Sequence, residues 1–272
     1  MHGNTSQAAV DPVRENPENY RNTFWIDVAE TWYGAGFICF MSDQKAAGWA
    51  QKNNRVHILQ EQIGYPRVIS TATQVAIAES GGEWEQGAIT DIQFPVQDRT
   101  PVIQALKEAD CGVILISHWV AAELASFAPS YTLGPTPGSL VYPQYGPPQP
   151  EFLNLAGDAA EGFIRGPVIG TSADETGMAF RATYMARYAG TMGMVDTGSG
   201  YDTFNIQAKV RATRDPSDFD AGQAHLIFQV QDGAHTIISP AVVKQAGLRP
   251  APWIWRNRNG AGRPHFRLPG DR

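Results

Sequence analysis

Residues 112 to 166, GVILISHWVAAELASFAPSYTLGPTPGSLVYPQYGPPQPEFLNLAGDAAEGFIRG, restrict the fold more than any other stretch of the chain. Short apolar runs alternate there with helical patterns. The run 113–116 is rich in β-branched residues, the kind buried on both faces of a sheet. The same alternation holds upstream. Residues 56–59 read as a buried strand, with 60–66 as the loop at its end. Residues 68–79 read as a helix stopped by Gly81-Gly82, and 84–94 as a strand. Residues 100–109 form a helix with Pro101 in its first turn. Downstream, 121–127 read as helix, 140–142 as strand, 151–155 as a short helix, 163–169 as strand and 175–188 as helix. Parallel neighbours need crossover connections. This order therefore predicts an α/β fold, a parallel sheet with helices on both faces.

The flanks are less regular. Residues 1–22 are polar and turn-rich, with Pro12 and Pro17 as breakers. Residues 24–41 place Trp25, Val28, Trp32, Phe37, Ile38 and Met41 on an amphipathic helix, and 201–211 read as another helix. Residues 224–230 and 235–239 flank Asp232-Gly233, a hairpin signal. Residues 249–272, dominated by Arg, Pro, Gly and Asn, read as poorly ordered. A net charge of −6 argues against a nucleic-acid surface. The two cysteines, Cys39 and Cys111, read as buried free thiols. No apolar run approaches the roughly 18 residues of a membrane span, and the N-terminus has no signal-peptide design.

Catalytic signatures are absent: there is no G-x-S-x-G elbow, Walker loop, H-E-x-x-H or G-x-G-x-x-G. The six histidines have no ligand spacing, so no metal or cofactor is expected. His57 reads as a core histidine. His118 follows a strand end, where a pocket role and a structural one weigh equally. Of the carboxylates Glu61, Asp98, Glu123 and Glu161, Glu61 is the best pocket candidate because it lies in a strand-end loop. Glu161 reads as a turn or cap residue. Tyr65, Trp119, Tyr142 and Tyr145 fall after strands, at the sheet edge where α/β proteins gather their ligands. Either they shape a pocket or they cover the sheet ends.

Four motifs carry a resemblance. PQYGPPQPEFLNLAGDAAEGFIRG, HGNTSQAAV, FPVQDRTPVIQALKEADCGVILISHW and GTMGMVDTGSGYDTFNIQA stand in the order found in ABC-transporter solute-binding proteins for branched-chain amino acids and short amides. The chain resembles that family, which has the type I periplasmic-binding fold, over residues 1–240. The family's first lobe normally starts with strands and helices that precede the HGNTS-like loop, and a helix and strand are missing between DPSDFDA and GQAHLIF. The resemblance therefore implies a truncated member, one near-complete lobe with fragments of the other. Residues 1–23 are a remnant of the first lobe, 24–192 the second lobe and 193–221 a return segment. Residues 222–248 are a hairpin region and 249–272 the tail.

Carried over residue by residue, Asn4, Thr5 and Ser6 would face the ligand from the first lobe. Tyr65, Trp119, Gln144 and Tyr145 would face it from the second. Amino-acid binders often place an acid in the Gln144-Tyr145 loop for the ammonium group. Its absence here leaves room for a neutral amide or urea-like ligand. The implied function is capture of a small polar solute between two lobes by hinge closure, with an ABC permease as partner and a periplasmic location. The alternatives are a cytoplasmic sensor of the same fold, a truncated product with little binding, or an α/β enzyme. The last would need a titratable pair in contact at the strand ends.

Overall fold

The computed structural model describes residues 6–21, 23, 29–145, 150–168, 174–189, 226–239 and 244–253. Its centre is a four-stranded parallel sheet in the order β2-β1-β3-β4, built from β1 (Arg55–Glu61), β2 (Glu85–Ile92), β3 (Val113–His118) and β4 (Leu140–Tyr145). The crossovers are α3 (Gly64–Glu79), α4 (Thr100–Ala109) and α5 (Ala121–Leu133). Side chains alternate across a strand, so each face acquires its own core. Val56, Ile58, Val113 and Leu115 pack with Phe37 and Met41 of α2 (Thr31–Ala46). Leu59, Ile114 and Ile116 pack with Leu106 of α4 and Leu124 and Phe127 of α5. The predicted class, an α/β sheet with helices on both faces, is what the molecule has.

The strand starts are tied together by Asn53. Its Oδ1 accepts from the Gly112 N–H at 2.7 Å, and its Nδ2 donates to the Asp110 carbonyl at 3.0 Å. Helices α2 and α3 cross where Gly34 meets the α3 backbone. A Cβ at Gly34 would lie 2.3 Å from the Thr73 nitrogen.

Beyond β4 come α6 (Pro150–Ala156), β5 (Ile164–Val168) and α7 (Glu175–Arg187). Strand β5 pairs antiparallel with β6 (Leu226–Gln231), which pairs with β7 (Ala234–Ser239). The Asp232-Gly233 turn has φ of 54° and 73°, as the hairpin signal predicts. Glu161 accepts from the Asp232 and Gly233 N–H groups, so it is indeed a turn-binding carboxylate.

Several expectations need correction. Residues 7–15 form a helix, α1 (Gln7–Glu15), despite Pro12, because Val10 and Val13 bury against Ala29. The helix expected over 24–41 begins only at Thr31. Strand β4 runs through Pro143 to Tyr145 instead of ending at Tyr142. It terminates the sheet order, where a proline's missing N–H costs least. Helix α5 likewise continues past residue 127 to Leu133. Cys39 is exposed, because it lies on the outward side of α2; Cys111 is buried as expected. The tail is packed up to Trp253, which is 2% exposed. Its Nε1 donates to the Ser139 carbonyl at 2.8 Å, and its ring meets Tyr131 and Phe163 edge-on at 5.3 and 5.0 Å. The helix expected over 201–211 lies outside the described residues.

Trp253→Ala is expected to lower unfolding stability by about 3–5 kcal/mol through loss of a filled core position. Gly34→Ala, which drives a methyl into backbone, is expected to cost at least about 2 kcal/mol. Urea denaturation of both variants checks these values.

Candidate functional site

The sheet reverses its winding between β1 and β3: β2 is added on one side of β1, then β3 and β4 on the other. In open parallel sheets the crevice at the carboxyl ends of such a strand pair is where ligands bind. Glu61 is the last residue of β1 and His118 the last of β3. Both side chains are 2% exposed, with Glu61 Oε2 3.2 Å from His118 Nδ1. The Val120 N–H donates to the same Nδ1 at 3.2 Å. Phe94 closes on the imidazole edge-on, with ring centroids 5.9 Å apart. Arg99, from the residue preceding α4, pairs with Glu123 in the first turn of α5 and donates to Ser126 Oγ at 2.6 Å. A cavity of about 20 Å³, bounded by Leu59, Arg99, Ile116, His118 and Glu123, lies among these groups. That is room for one water.

Electrostatics follow from the burial. Desolvation, with a smaller push from Arg99, drives the His118 imidazole down to about 4. Desolvation, with repulsion from Glu123, raises the Glu61 carboxyl. Both groups are biased towards their neutral forms.

Gln144 lies opposite Ser117 in the β3–β4 register and is 0% exposed. Neither its amide oxygen nor its amide nitrogen has a hydrogen-bond partner among the described residues, and His118 Nε2 also has none. Buried polar atoms are normally paired. Gln144 and His118 stand at the carboxyl ends of adjacent strands on opposite faces of the sheet, where a polar ligand meeting the sheet edge would satisfy such atoms. Ser117, by contrast, donates to the Pro66 carbonyl at 2.7 Å.

The other candidates fall as follows. Glu61 lies within β1, not in a loop, and Tyr65 lies in the first turn of α3, half-buried and edge-on to Tyr33. Trp119 is 45% exposed beyond β3. Tyr145 is placed as the last residue of β4. Tyr142 is corrected: it is fully buried inside β4 against Phe37 and Phe40, with its hydroxyl pushed well up by burial, and it belongs to the core. The two-residue alternation turns it, like Gln144, to the α2/α3 side but two residues deeper. Ser6 lies at the start of α1 beside the buried Glu30, whose Oε2 accepts from the Gln7 N–H. Asn4 and Thr5 lie outside the described residues.

Arg99, Phe94 and Ser117 are the neighbours that sequence reasoning passes over. No spacing rule links Arg99 to Glu123. The Ser117-His118 pair directly after an apolar run was the one available signal for Ser117. His57, read as a core histidine, is one: 0% exposed, with Nε2 2.9 Å from Thr90 Oγ1.

No protein-family model matches the sequence, and no curated protein does. Solved structures do. A protein described as a branched-chain amino acid ABC transporter from Silicibacter pomeroyi superposes with a TM-score of 0.78 at 27% identity, covering 93% of this chain and 75% of its own. A branched-chain amino acid ABC transporter protein from Rhodospirillum rubrum matches with a TM-score of 0.60 at 15% identity, over 79% of this chain and 67% of its own. A leucine-binding protein from Thermotoga maritima gives 0.59 at 16%, with the same two coverages. The last two speak for the fold alone. The chain has the type I periplasmic-binding fold. It is similar to ABC-transporter solute-binding proteins of the branched-chain amino acid group, the resemblance its motifs carry.

Burial lowers His57, like His118, to about 4. The unfolded chain therefore binds protons below about pH 6.5 that the folded chain refuses until about pH 4, and stability falls with acidification across that window. Glu61, raised, contributes the opposite slope, lost as pH rises through its folded value. His57→Gln keeps a hydrogen bond to Thr90 and has no proton to bind. It is expected to reduce the stability slope between pH 6.5 and 4 by about one proton, read from urea melts at stepped pH.

Proposed function

We propose that this chain is the solute-capturing component of an ABC importer and that a small polar solute, an amino acid or a short amide, binds at the carboxyl edge of the sheet. The observation that carries this is that buried polar atoms at the carboxyl ends of two adjacent strands have no partners among the described residues: the Gln144 amide on the α2/α3 side of β4 and His118 Nε2 on the α4/α5 side of β3. The described similarity to transporter binding proteins supports it. Residues 24–192 serve as the second lobe, with residues 1–23 and 193–221 belonging to the first. Closure of the lobes about the solute gives the form that a membrane permease reads, and the work is done in the periplasm. Capture needs no covalent step.

One observation favours a second reading, an α/β enzyme: Glu61 and His118 stand at acid–base distance, 3.2 Å. Against it, Nδ1 already accepts from Val120, and the neighbouring Ser117 hydroxyl is committed to Pro66 and so is not aligned with the pair. Esterase and amidase substrates turned over by the chain, with loss in His118→Ala, would establish this reading in place of capture.

A binding solute stabilises the folded chain by mass action. A branched-chain amino acid or short aliphatic amide at millimolar concentration is expected to raise the Tm, and the rise should vanish in Gln144→Leu and shrink in Trp119→Ala. Absence of a shift with every member of such a panel, up to their solubility, would sink the capture reading.

A further inference from the structure

Helix α3 carries its charges the wrong way round. Arg67 is the fourth residue of α3 and Glu79 the last. A helix holds partial positive charge at its N-terminus and partial negative charge at its C-terminus, so both residues oppose the dipole of their own helix. Helices α1, α2, α4 and α7 each place a base in the last turn, respectively Arg14, Lys45, Lys107 and Arg187. Helix α3 has no base in its last turn and no acid in its first.

The two charges mark the ends of an apolar groove. Its volume is about 500 Å³, and its walls include Trp32 and Ala35 of α2 and Val68, Ala72 and Val75 of α3. Gly34 brings α2 onto the α3 backbone at Thr73 and so holds the walls close. Among the described residues, Arg67 and Glu79 are the only charged ones lining it. Positions 68, 72, 75 and 79 follow the 4-3-4 spacing of a helix-packing seam. Val75, near the middle of that seam, is 50% exposed. Arg67 pairs within the chain with Asp91 at 4.0 Å, where both side chains are about half exposed and water weakens the attraction.

The charges specify an occupant. A helix laid antiparallel along α3 needs an acid beside Arg67 and a base beside Glu79, twelve residues or roughly 18 Å away at 1.5 Å per residue. Helix α3 of a second copy, related by a two-fold axis near residue 73, brings that pair in that order. Arg67 then meets the partner's Glu79 on both sides of the axis, as a two-fold interface requires. Each charge also lies against the end of a dipole that attracts it. Val75 comes to rest beside the partner's Thr71 and the partner's Ala72, a larger side chain against smaller ones.

We propose that α2 and α3 form a self-complementary docking face for a second copy of this chain, with α3 antiparallel to its symmetry mate and Arg67 paired with the partner's Glu79. The proposal does not depend on the capture reading.

Sedimentation equilibrium of the full chain from about 1 to 100 µM tests it. A dimer of the 29.6 kDa chain is expected within that range. Val75→Glu, which puts a charge at the centre of the seam, is expected to leave a monomer. Arg67→Glu and Glu79→Arg each set like charges together on both sides of the axis, and each is expected to weaken association at least about tenfold. The double variant restores opposite charges with their signs exchanged and is expected to associate at least about threefold more tightly than either single one. All three positions are exposed, and urea melts check that each variant folds. A wild-type chain that stays monomeric overturns the proposal, whatever else docks in the groove. So does a dimer that Val75→Glu leaves intact. Weakening in both single charge variants with no recovery in the double overturns the antiparallel pairing.

Discussion

The two-sided burial of β3 is the constraint from which the rest follows. All six of its residues are buried, because α2 and α3 cover one face and α4 and α5 the other. A strand sealed in this way delivers whatever polar residue stands at its end into a dry environment. Ser117 and His118 therefore have to find partners in the protein: Ser117 finds the Pro66 carbonyl, and His118 finds the Val120 N–H. Glu61, on the neighbouring strand, is sealed by the same layers and comes to rest against the imidazole.

The amino end of the sheet is organised differently. Asn53 staples the starts of β1 and β3, Ser139 Oγ donates to the Cys111 carbonyl at 2.6 Å, and Trp253 bonds the Ser139 carbonyl. These contacts tie the strand starts together, while at the carboxyl end Gln144 and His118 Nε2 keep buried polar atoms without partners among the described residues. A buried polar group without a partner costs roughly 1–3 kcal/mol.

Particular residues show why some of this was legible and some was not. The apolar run at 113–116, the Gly81-Gly82 stop and the Asp232-Gly233 turn each report a local backbone requirement, and each element is present. Residues 7–15 were misread because Pro12 is a local breaker while the burial of Val10 against Ala29 is not local. Trp253 was misread because a window of Arg, Pro and Gly conceals one indole that fills a core site more than a hundred residues away in sequence. Tyr142, read as a residue beyond a strand, lies inside one because β4 runs on through Pro143 to Tyr145 and its ring packs on Phe37 and Phe40, contacts that no local pattern reports.

The order of apolar runs and helical stretches, by itself, determined that this chain forms a parallel sheet clothed in helices. Period and punctuation are properties of neighbouring residues, and they survive without knowledge of distant contacts. The motifs carried the resemblance for the same reason. That Glu61 stands against His118, that Arg99 is taken up by Glu123, and that Gln144 is left with both amide atoms unmatched were decided only by tertiary structure. The partners are separated by 57 residues in one case and 24 in another, and desolvation, which sets their charge, exists only once the layers have closed.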